Sequence, residues 1–260
     1  MLYGKSAIVT GSTSGIGLGI ATAFAAQGAN VMLNGFGDAD EIEAARSALE
    51  REHGARVRYS DADMSKPEAI RAMARYARAE FGAVDIVVNN AGIQHVAPIE
   101  EQPDEKWDAI LAINLSSAFH LVKAVLPNMK ARRWGRIVNI ASAHGLLASP
   151  FKSPYVAAKH GLIGLSKTVA LEVAEHGITS NTICPGYVKT PLVERQIADQ
   201  ATAHGISAEN VVRDVMLVHQ ARKQFVTVDE LAALAVFLVS DAAASVTASA
   251  FAMDGGWSQH

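Results

Sequence analysis

The sequence predicts an α/β fold, with a parallel sheet and helices on both of its faces. Short apolar, β-branched runs alternate with helical stretches of about 10–25 residues, a pattern typical of parallel strand pairing. A glycine-rich turn separates the first strand from the first helix, as in a doubly wound sheet with a ligand crevice. One long stretch, 190–227, breaks the alternation and is expected to cover the crevice.

The first half of the chain supplies four strands and three helices. Gly28 is expected at the C′ position of the first helix, and Pro67 at the start of the third. The apolar, β-branched runs and the amphipathic stretches between them predict, in chain order, strand 6–10, helix 18–27, strand Asn30–Asn34, helix 40–53, strand 56–60, helix Pro67–Phe81 and strand 84–89.

The second half continues the alternation with longer helices. The order is helix 103–130 in one or two pieces, strand 136–140, helix 154–175, strand 179–183, helix 228–240 and strand Ala250–Met253. Between the last two strands, 190–227 exceeds the usual loop length and is rich in Ala, Val, Gln and Arg. We therefore expect one domain over 1–260, with a helical substrate lid inserted at about 190–227.

Composition limits the class of protein. Half of the 260 residues are hydrophobic and the formal charge is −3, which gives no electrostatic footprint for nucleic acid. Cys184 is the only cysteine, so no intrachain disulfide can form, as suits a reducing compartment. An apolar strand begins within six residues of the start, without a signal-peptide pattern, and no uninterrupted apolar run reaches bilayer length. The sequence favours a cytoplasmic enzyme without a membrane partner and with no metal.

The glycine turn reads Gly11-x-x-x-Gly15-x-Gly17 and departs from the dinucleotide pattern G-x-G-x-x-G. Glycines allow a tight turn and a close approach of the backbone to a pyrophosphate, whose charge lies at a helix N-terminus. An ordinary glycine-rich turn is the alternative. The position between strand and helix favours phosphate binding.

The segment 142–159 carries an acid–base pattern. Tyr155 and Lys159 are four residues apart, so the phenol and the ammonium share a helix face. Ser153 is expected as the N-cap, followed by Pro154 at the first helical position. A nearby cation and a helix N-terminus would both lower the pKa of a phenol, and Ser142 could hydrogen-bond a substrate oxygen. This pattern predicts a site that moves a proton on and off an alcohol.

Together with this segment, the chain carries Asn89-Asn-Ala-Gly92, Asn114 and Pro185-Gly186 in an order that resembles the short-chain dehydrogenase/reductase family. The resemblance covers nearly the whole chain and implies a Rossmann-type domain, NAD or NADP as cofactor, and a homotetramer with its long helices in the interfaces. It implies a catalytic tetrad of Asn114, Ser142, Tyr155 and Lys159. The implied cofactor-binding residues are Gly11, Thr13, Gly15, Ile16, Gly17, Phe36, Asp63, Met64, Asn90, Tyr155, Lys159, Pro185, Gly186, Val188 and Thr190.

The choice between NAD and NADP depends on what meets the ribose 2′ position. A 2′-phosphate requires an arginine or a lysine, and neither occurs between Ser12 and Ala39. Asn34 stands where an NAD-selecting aspartate is usual, and Phe36 can pack on the adenosine. The missing phosphate clamp favours NAD.

Several polar residues lie close in sequence to the catalytic positions and suggest an anion site. Gln94, His144, Lys152 and Gln196 could together hold a carboxylate, which needs several donors. Each alone could equally be a surface or turn residue, and a solvated loop is the commoner place for a lysine. His95, Cys184 and Trp257 are expected to be structural.

Three local strings, 92–95, 142–146 and 224–227, are similar to those of bacterial D-3-hydroxybutyrate dehydrogenases. This closer resemblance implies that the four donors hold the substrate carboxylate. Tyr187 stands where a tryptophan is common and would form an aromatic wall beside Ser142 and Tyr155. The expected reaction is reversible, NAD-dependent oxidation of D-3-hydroxybutyrate to acetoacetate, with Tyr155 as general base. The alternatives are reduction of another carbonyl, such as a 3-ketoacyl thioester or a sugar, and a non-catalytic nucleotide-binding regulator.

Overall fold

The computed structural model describes residues 1–190, 193–194, 197, 201 and 205–259. Seven parallel strands form one sheet in the order β3-β2-β1-β4-β5-β6-β7. The strands are β1 Ser6–Val9, β2 Asn30–Asn34, β3 Val57–Ser60, β4 Ile86–Asn89, β5 Gly135–Ile140, β6 Ile178–Pro185 and β7 Ala250–Met253. The predicted Rossmann-type, doubly wound parallel sheet is confirmed.

Helices cover both faces of the sheet. The helices are α1 Gly15–Ala26, α2 Ala39–His53, α3 Pro67–Phe81, α4 Asp104–Leu111, α5 Ser117–Arg132, α6 Ser153–Val173 and α7 Val228–Val239. One apolar cluster joins the sheet to α1 and α7, with Phe24 and Leu231 fully buried. A second joins the other face to α3, α5 and α6, with Ile70 and Leu121 fully buried. The sheet is therefore apolar on both faces, as buried parallel sheets require.

Most predicted boundaries agree with the structure to within a few residues, and two differences affect the site. Helix α1 begins at Gly15 instead of residue 18, so Gly15 and Gly17 of the glycine turn lie in its first helical turn. The N-cap predicted at Ser153 is wrong: Lys152 is the N-cap residue of α6, and its carbonyl accepts the first helical bond, from the Val156 N–H at 2.9 Å. The Ser153 hydroxyl makes no hydrogen bond with a described residue.

Helices α4 and α5 form one continuous run of 29 residues, Asp104–Arg132, joined by the π-helical turn Ala112–Ser116. Its most apolar 18-residue window has a mean hydropathy of 1.7, so by length and composition alone the run could cross a membrane. The core helices of soluble proteins pass the same test, and here Leu121 and Val125 are buried in the cluster that α5 shares with α3.

The region 190–227 is described only in part. Its described residues include a short helix, Ala208–Asn210, that continues into the π-helical stretch Val211–Met216. Val211 and Leu217 are fully buried and pack with Tyr187 and Phe225 in a small apolar cluster. This cluster attaches the region to the carboxyl end of β6.

Candidate active site

The candidate site lies at the carboxyl ends of the strands, where β1 and β4 are neighbours and the chain order of the sheet reverses. In open parallel sheets this switch point is where ligands bind. The turn between β1 and α1 forms a closely packed cradle: a Cβ added to Gly17 would lie 2.2 Å from the Gly11 carbonyl oxygen. Gly11 has φ +61° and lies against the Ala91 backbone. Only glycine is compatible with this cradle, which presents the free N–H groups of the first turn of α1.

Hydrogen bonds from the loop after β4 hold the glycine turn in place. The Asn90 amide donates to the carbonyl oxygens of Thr10 and Gly11, at 3.0 and 2.9 Å. The Thr10 hydroxyl accepts from the backbone N–H groups of Asn90 and Ala91, both at 3.0 Å. Asn90 thus supports the cradle and also lines the adjoining cavity.

The loop after β2 contains the residues expected near the adenosine. The side chain of Asn34 is fully engaged within the protein, because its amide donates to the carbonyls of Ser60 and Ala62 and its oxygen accepts from the Gly11 N–H. Asn34 therefore has a structural role at the strand end. Phe36 is 67% exposed, and its carbonyl accepts from the Thr13 hydroxyl at 3.0 Å.

The loop after β3 places Asp63 and Met64 beside this region. Met64 is buried in the core. A carboxylate oxygen of Asp63 accepts from the Ser65 N–H at 2.8 Å, and this bond holds the pKa of Asp63 below its usual range.

The residues predicted to transfer a proton come together between the end of β5 and the start of α6. Ser142 follows β5 and accepts a hydrogen bond from the His144 N–H at 3.2 Å. One turn along α6, the Lys159 ammonium lies 5.6 Å from the centroid of the Tyr155 ring. The three side chains line one cavity, as the sequence pattern predicted.

Lys159 is almost fully buried and donates to the Ile140 carbonyl at 2.8 Å. Burial lowers the pKa of Lys159 to about 8, since the low-dielectric interior disfavours the ammonium. The ammonium therefore lies in a low-dielectric site between the Ile140 carbonyl and the Tyr155 ring.

The pKa of Tyr155 moves in the direction opposite to the one expected. Burial raises the pKa of Tyr155, and the neighbouring Ser142 hydroxyl only partly opposes the effect. Desolvation dominates, since the Lys159 ammonium lies 5.6 Å from the ring centroid and directs its hydrogen bond at the Ile140 carbonyl. In the protein without ligands the phenol is therefore the stable form at neutral pH.

Asn114 lies one layer behind the cavity, within the π-helical turn. Its amide donates to the Ile93 carbonyl at 2.9 Å, and its oxygen accepts from the Ile93 N–H at 2.8 Å. The oxygen also lies close to Gly92, next to the Lys159 ammonium. Asn114 thus fixes the loop that contains Gln94. The π-helical turn directs the Asn114 side chain toward that loop.

The cavity measures about 820 Å³ and extends from the glycine turn to the region after β6. Among the predicted residues it is lined by Ile16, Asn90, Gln94, Ser142, His144, Lys152, Tyr155, Lys159, Pro185, Gly186, Tyr187, Val188 and Thr190. Gly11, Thr13, Gly15, Gly17, Phe36, Asp63, Met64 and Asn114 lie outside its lining. Gln196 lies outside the described residues, so its predicted role stays a prediction.

Two of the predicted donors differ in charge. Burial and the nearby Lys152 lower the pKa of His144 to about 4, so the imidazole is neutral at pH 7. Its Nε2 pairs with the Ser149 hydroxyl at 2.8 Å, and its Nδ1 lies 3.5 Å from the Ser142 hydroxyl. Burial also lowers the pKa of Lys152, and no described carboxylate offsets that effect. A half-buried cation without a counter-ion in the lining suits an anionic ligand.

Trp257 and His95 line the cavity as well, although sequence reasoning gave them structural roles. The Trp257 ring stacks on Tyr187 at 5.7 Å and meets the edge of His144 at 5.1 Å. The position of Trp257 in the sequence could have indicated this place. Trp257 follows β7, β7 lies beside β6, and the carboxyl end of β6 forms a wall of the cavity. Asp254 accepts from the Gly256 and Ser258 N–H groups and turns the chain back toward this wall.

Comparison with known proteins identifies similar chains. Residues 5–201 match the family model for short chain dehydrogenases. The chain is 58% identical to the D-beta-hydroxybutyrate dehydrogenase of Cupriavidus necator, over 99% of both chains. It is 56% identical to the enzyme of that name from Rhizobium meliloti, over 97% of this chain and 98% of the relative. A crystal structure assigned as a short-chain alcohol dehydrogenase from Sinorhizobium meliloti 1021 is 33% identical and superposes with a TM-score of 0.88, over 98% of this chain and 97% of that one.

Proposed function

Because this chain belongs to the short-chain dehydrogenase family of nicotinamide-dependent oxidoreductases, we propose that it interconverts D-3-hydroxybutyrate and acetoacetate with NAD. This reaction is a step of ketone body metabolism. The observation that carries the proposal is the shared cavity, where Lys152, His144 and Gln94 face the same space as Ser142 and Tyr155. A cation and neutral donors on one side, with a proton-transfer pair on the other, fit a short hydroxy acid.

In this proposal, some residues bind the substrate and others transfer the proton. Lys152 neutralises the substrate carboxylate, and the neutral His144 and Gln94 orient it by hydrogen bonds, with Gln196 as the fourth expected donor. Ser142 and Tyr155 hydrogen-bond the 3-hydroxyl.

In the direction of oxidation, Tyr155 in its phenolate form accepts the hydroxyl proton as general base. Lys159 favours that phenolate by its charge, and Tyr187 with Trp257 forms the apolar wall for the methyl end. When bound, the nicotinamide cofactor supplies the hydride acceptor for this chemistry. The glycine cradle, Asn90, Val188 and Thr190 are the residues that would hold it.

The preference for NAD is supported by the loop after β2. With Asn34 engaged internally, the exposed Phe36 and the capping Asp38 are the prominent side chains there, and none is basic. A 2′-phosphate would find no arginine fork in this loop.

We also propose an assembly state, a substrate lid and a cellular location for the protein. A homotetramer is supported by α5 and α6, which leave Phe119 and Leu171 exposed at 45% and 77%. The 190–227 region is proposed as a lid inserted in the single domain 1–260, since Val193 lines the cavity and packs in the cluster that holds Tyr187. A cytoplasmic location without a membrane partner is consistent with the single free thiol, Cys184.

The test is an assay of NADH formation with D- and L-3-hydroxybutyrate, with 2-butanol as a neutral control and NADP in place of NAD as a second control. We expect turnover with the D acid and NAD, and little with the other combinations. A clear preference for 2-butanol would remove the carboxylate from the proposal. Faster turnover of a 3-ketoacyl thioester would assign the chain to the alternative reductase activity.

A further inference from the structure

Beyond the residues that touch substrate, the structure contains a strained turn, 149–152, directly before α6. Its third residue, Phe151, has φ +66°, a left-handed conformation that side chains with a Cβ rarely adopt. The third position of a type II turn requires this sign of φ, and glycine or asparagine is the usual residue there, with proline favoured before it as Pro150 is here. A phenylalanine is therefore conformationally costly at this place.

Burial of the aromatic ring does not explain why residue 151 is a phenylalanine. The Phe151 side chain is 55% exposed, so the ring contributes little to the core. What the turn does is connect groups of the cavity. Its first residue, Ser149, pairs with His144 Nε2 at 2.8 Å, and its last, Lys152, lines the cavity.

The turn also fixes the third donor. The Phe151 carbonyl accepts a hydrogen bond from the Ala97 N–H at 3.0 Å, which ties the turn to the loop containing Gln94. Lys152 is the N-cap residue of α6, and its carbonyl accepts the first hydrogen bond of that helix. One turn thus contacts all three described elements that supply donors to the proposed carboxylate.

We propose that Phe151 is a positioning residue: the hydrogen bonds of the turn impose its left-handed backbone, its side chain narrows the range of that backbone, and Lys152, His144 and the Gln94 loop thereby stay in register for the substrate carboxylate. Strain in the backbone is retained where the surrounding structure over-determines it, often at a ligand clamp. Within the left-handed region a Cβ leaves only a narrow range of φ and ψ, whereas glycine would keep φ +66° without strain and would have a wider range around it. The inference rests on the proposed function, because it names the same carboxylate.

The experiment compares Phe151→Gly with Phe151→Ala. Alanine removes the ring but keeps the Cβ and its conformational restriction, and so isolates the backbone effect. Arg133→Gly is the matched control, since Arg133 is also left-handed, at φ +52°, and lies at the C-terminus of α5, outside the cavity lining. For each protein, KM for D-3-hydroxybutyrate, KM for NAD, kcat and the melting temperature are measured, together with the Kd of D-3-hydroxybutyrate in the presence of NADH.

For Phe151→Gly we expect KM and Kd for the acid to rise about two- to fivefold, from the added backbone freedom. KM for NAD should stay constant, and the melting temperature should not fall, because glycine relieves the strain. Phe151→Ala and Arg133→Gly should keep the parental KM and Kd.

Unchanged KM and Kd in Phe151→Gly would overturn the inference. An equal rise in Phe151→Ala would assign the effect to the ring, and an equal rise in Arg133→Gly to general loosening, and either would also overturn it. Absence of parental turnover would instead count against the proposed function, while the Kd comparison would still test the turn.

Discussion

The burial of Lys159 leads to a prediction about stability as a function of pH. Lys159 is 4% exposed, and burial lowers its pKa from 10.5 to about 8 in the folded protein. An ammonium whose folded pKa lies below its unfolded pKa destabilises the folded state at every pH below about 8. The cost decreases as pH rises from about 8 to about 10.5, because the unfolded chain then binds more protons than the folded one.

The perturbation is Lys159→Met, which keeps an unbranched side chain of similar length and removes the charge. The lowered pKa of Lys159 corresponds to a penalty of about 3 kcal/mol at low pH, most of which disappears between pH 7 and pH 10. The substitution also removes the donor to the Ile140 carbonyl, which costs about 1–3 kcal/mol. At pH 7 the variant should therefore be as stable as the parent or up to about 2 kcal/mol more stable, and at pH 10 less stable.

The assay is urea denaturation at pH 7 and pH 10, at equal protein concentration, for the parent, Lys159→Met and Lys167→Met. Lys167 lies exposed on the same helix and controls for the loss of a lysine. The difference in unfolding free energy between Lys159→Met and the parent should fall by about 2–3 kcal/mol between the two pH values, while that for Lys167→Met stays constant. An equal difference at both pH values would refute the conclusion that burial lowers the pKa of Lys159.

The other predictions concern activity. Tyr155→Phe should lower kcat by about 10²–10⁴-fold without a change in melting temperature or cofactor binding, and near-parental turnover would remove Tyr155 as the base. In the parent, kcat/KM for hydroxy acid oxidation should rise between pH 7 and pH 9, since burial raises the pKa of the Tyr155 phenol and only the phenolate accepts a proton. Lys152→Met should raise KM for the hydroxy acid about 10- to 100-fold, the value of a charge-assisted hydrogen bond, with KM for NAD constant; an unchanged KM for the acid would exclude contact with the carboxylate. Phe36→Arg should improve kcat/KM with NADP about tenfold by providing a phosphate partner, which the Phe36→Ala control should not do.

Local sequence patterns suffice to predict several strands and helices of this chain. Strands such as Asn30–Asn34 were predictable to the residue, because a buried parallel strand needs a continuous apolar run between turn signals. The same holds for α3, with Pro67 at its start and Gly82 after its end. The family motifs located the tyrosine, serine and lysine by spacing alone, and the structure places their side chains along one cavity.

Local sequence patterns fail to predict properties of a residue that depend on its burial or on hydrogen bonds to residues distant in sequence. The direction of the Tyr155 pKa was expected from the neighbouring cation, but desolvation depends on everything that packs around the phenol. Asn34 has the sequence position of a ribose ligand, and only the fold shows its amide bonded to Ser60, Ala62 and Gly11. Trp257 is far from the catalytic segment in sequence and reaches the cavity because β7 pairs with β6.

The sequence by itself determined the sheet and located the proposed nucleotide loop and proton-transfer residues, because periodicity, glycine placement and i, i+4 spacing are local properties of the chain. The tertiary structure alone decided the charge environment of the cavity: a neutral His144, a buried Lys159 and an aromatic wall completed by Trp257. It also decided how the turn at Phe151 links the donors around the expected carboxylate. These properties depend on distances between segments that are remote in sequence, and dielectric environment and hydrogen-bond partners exist only once those segments are packed.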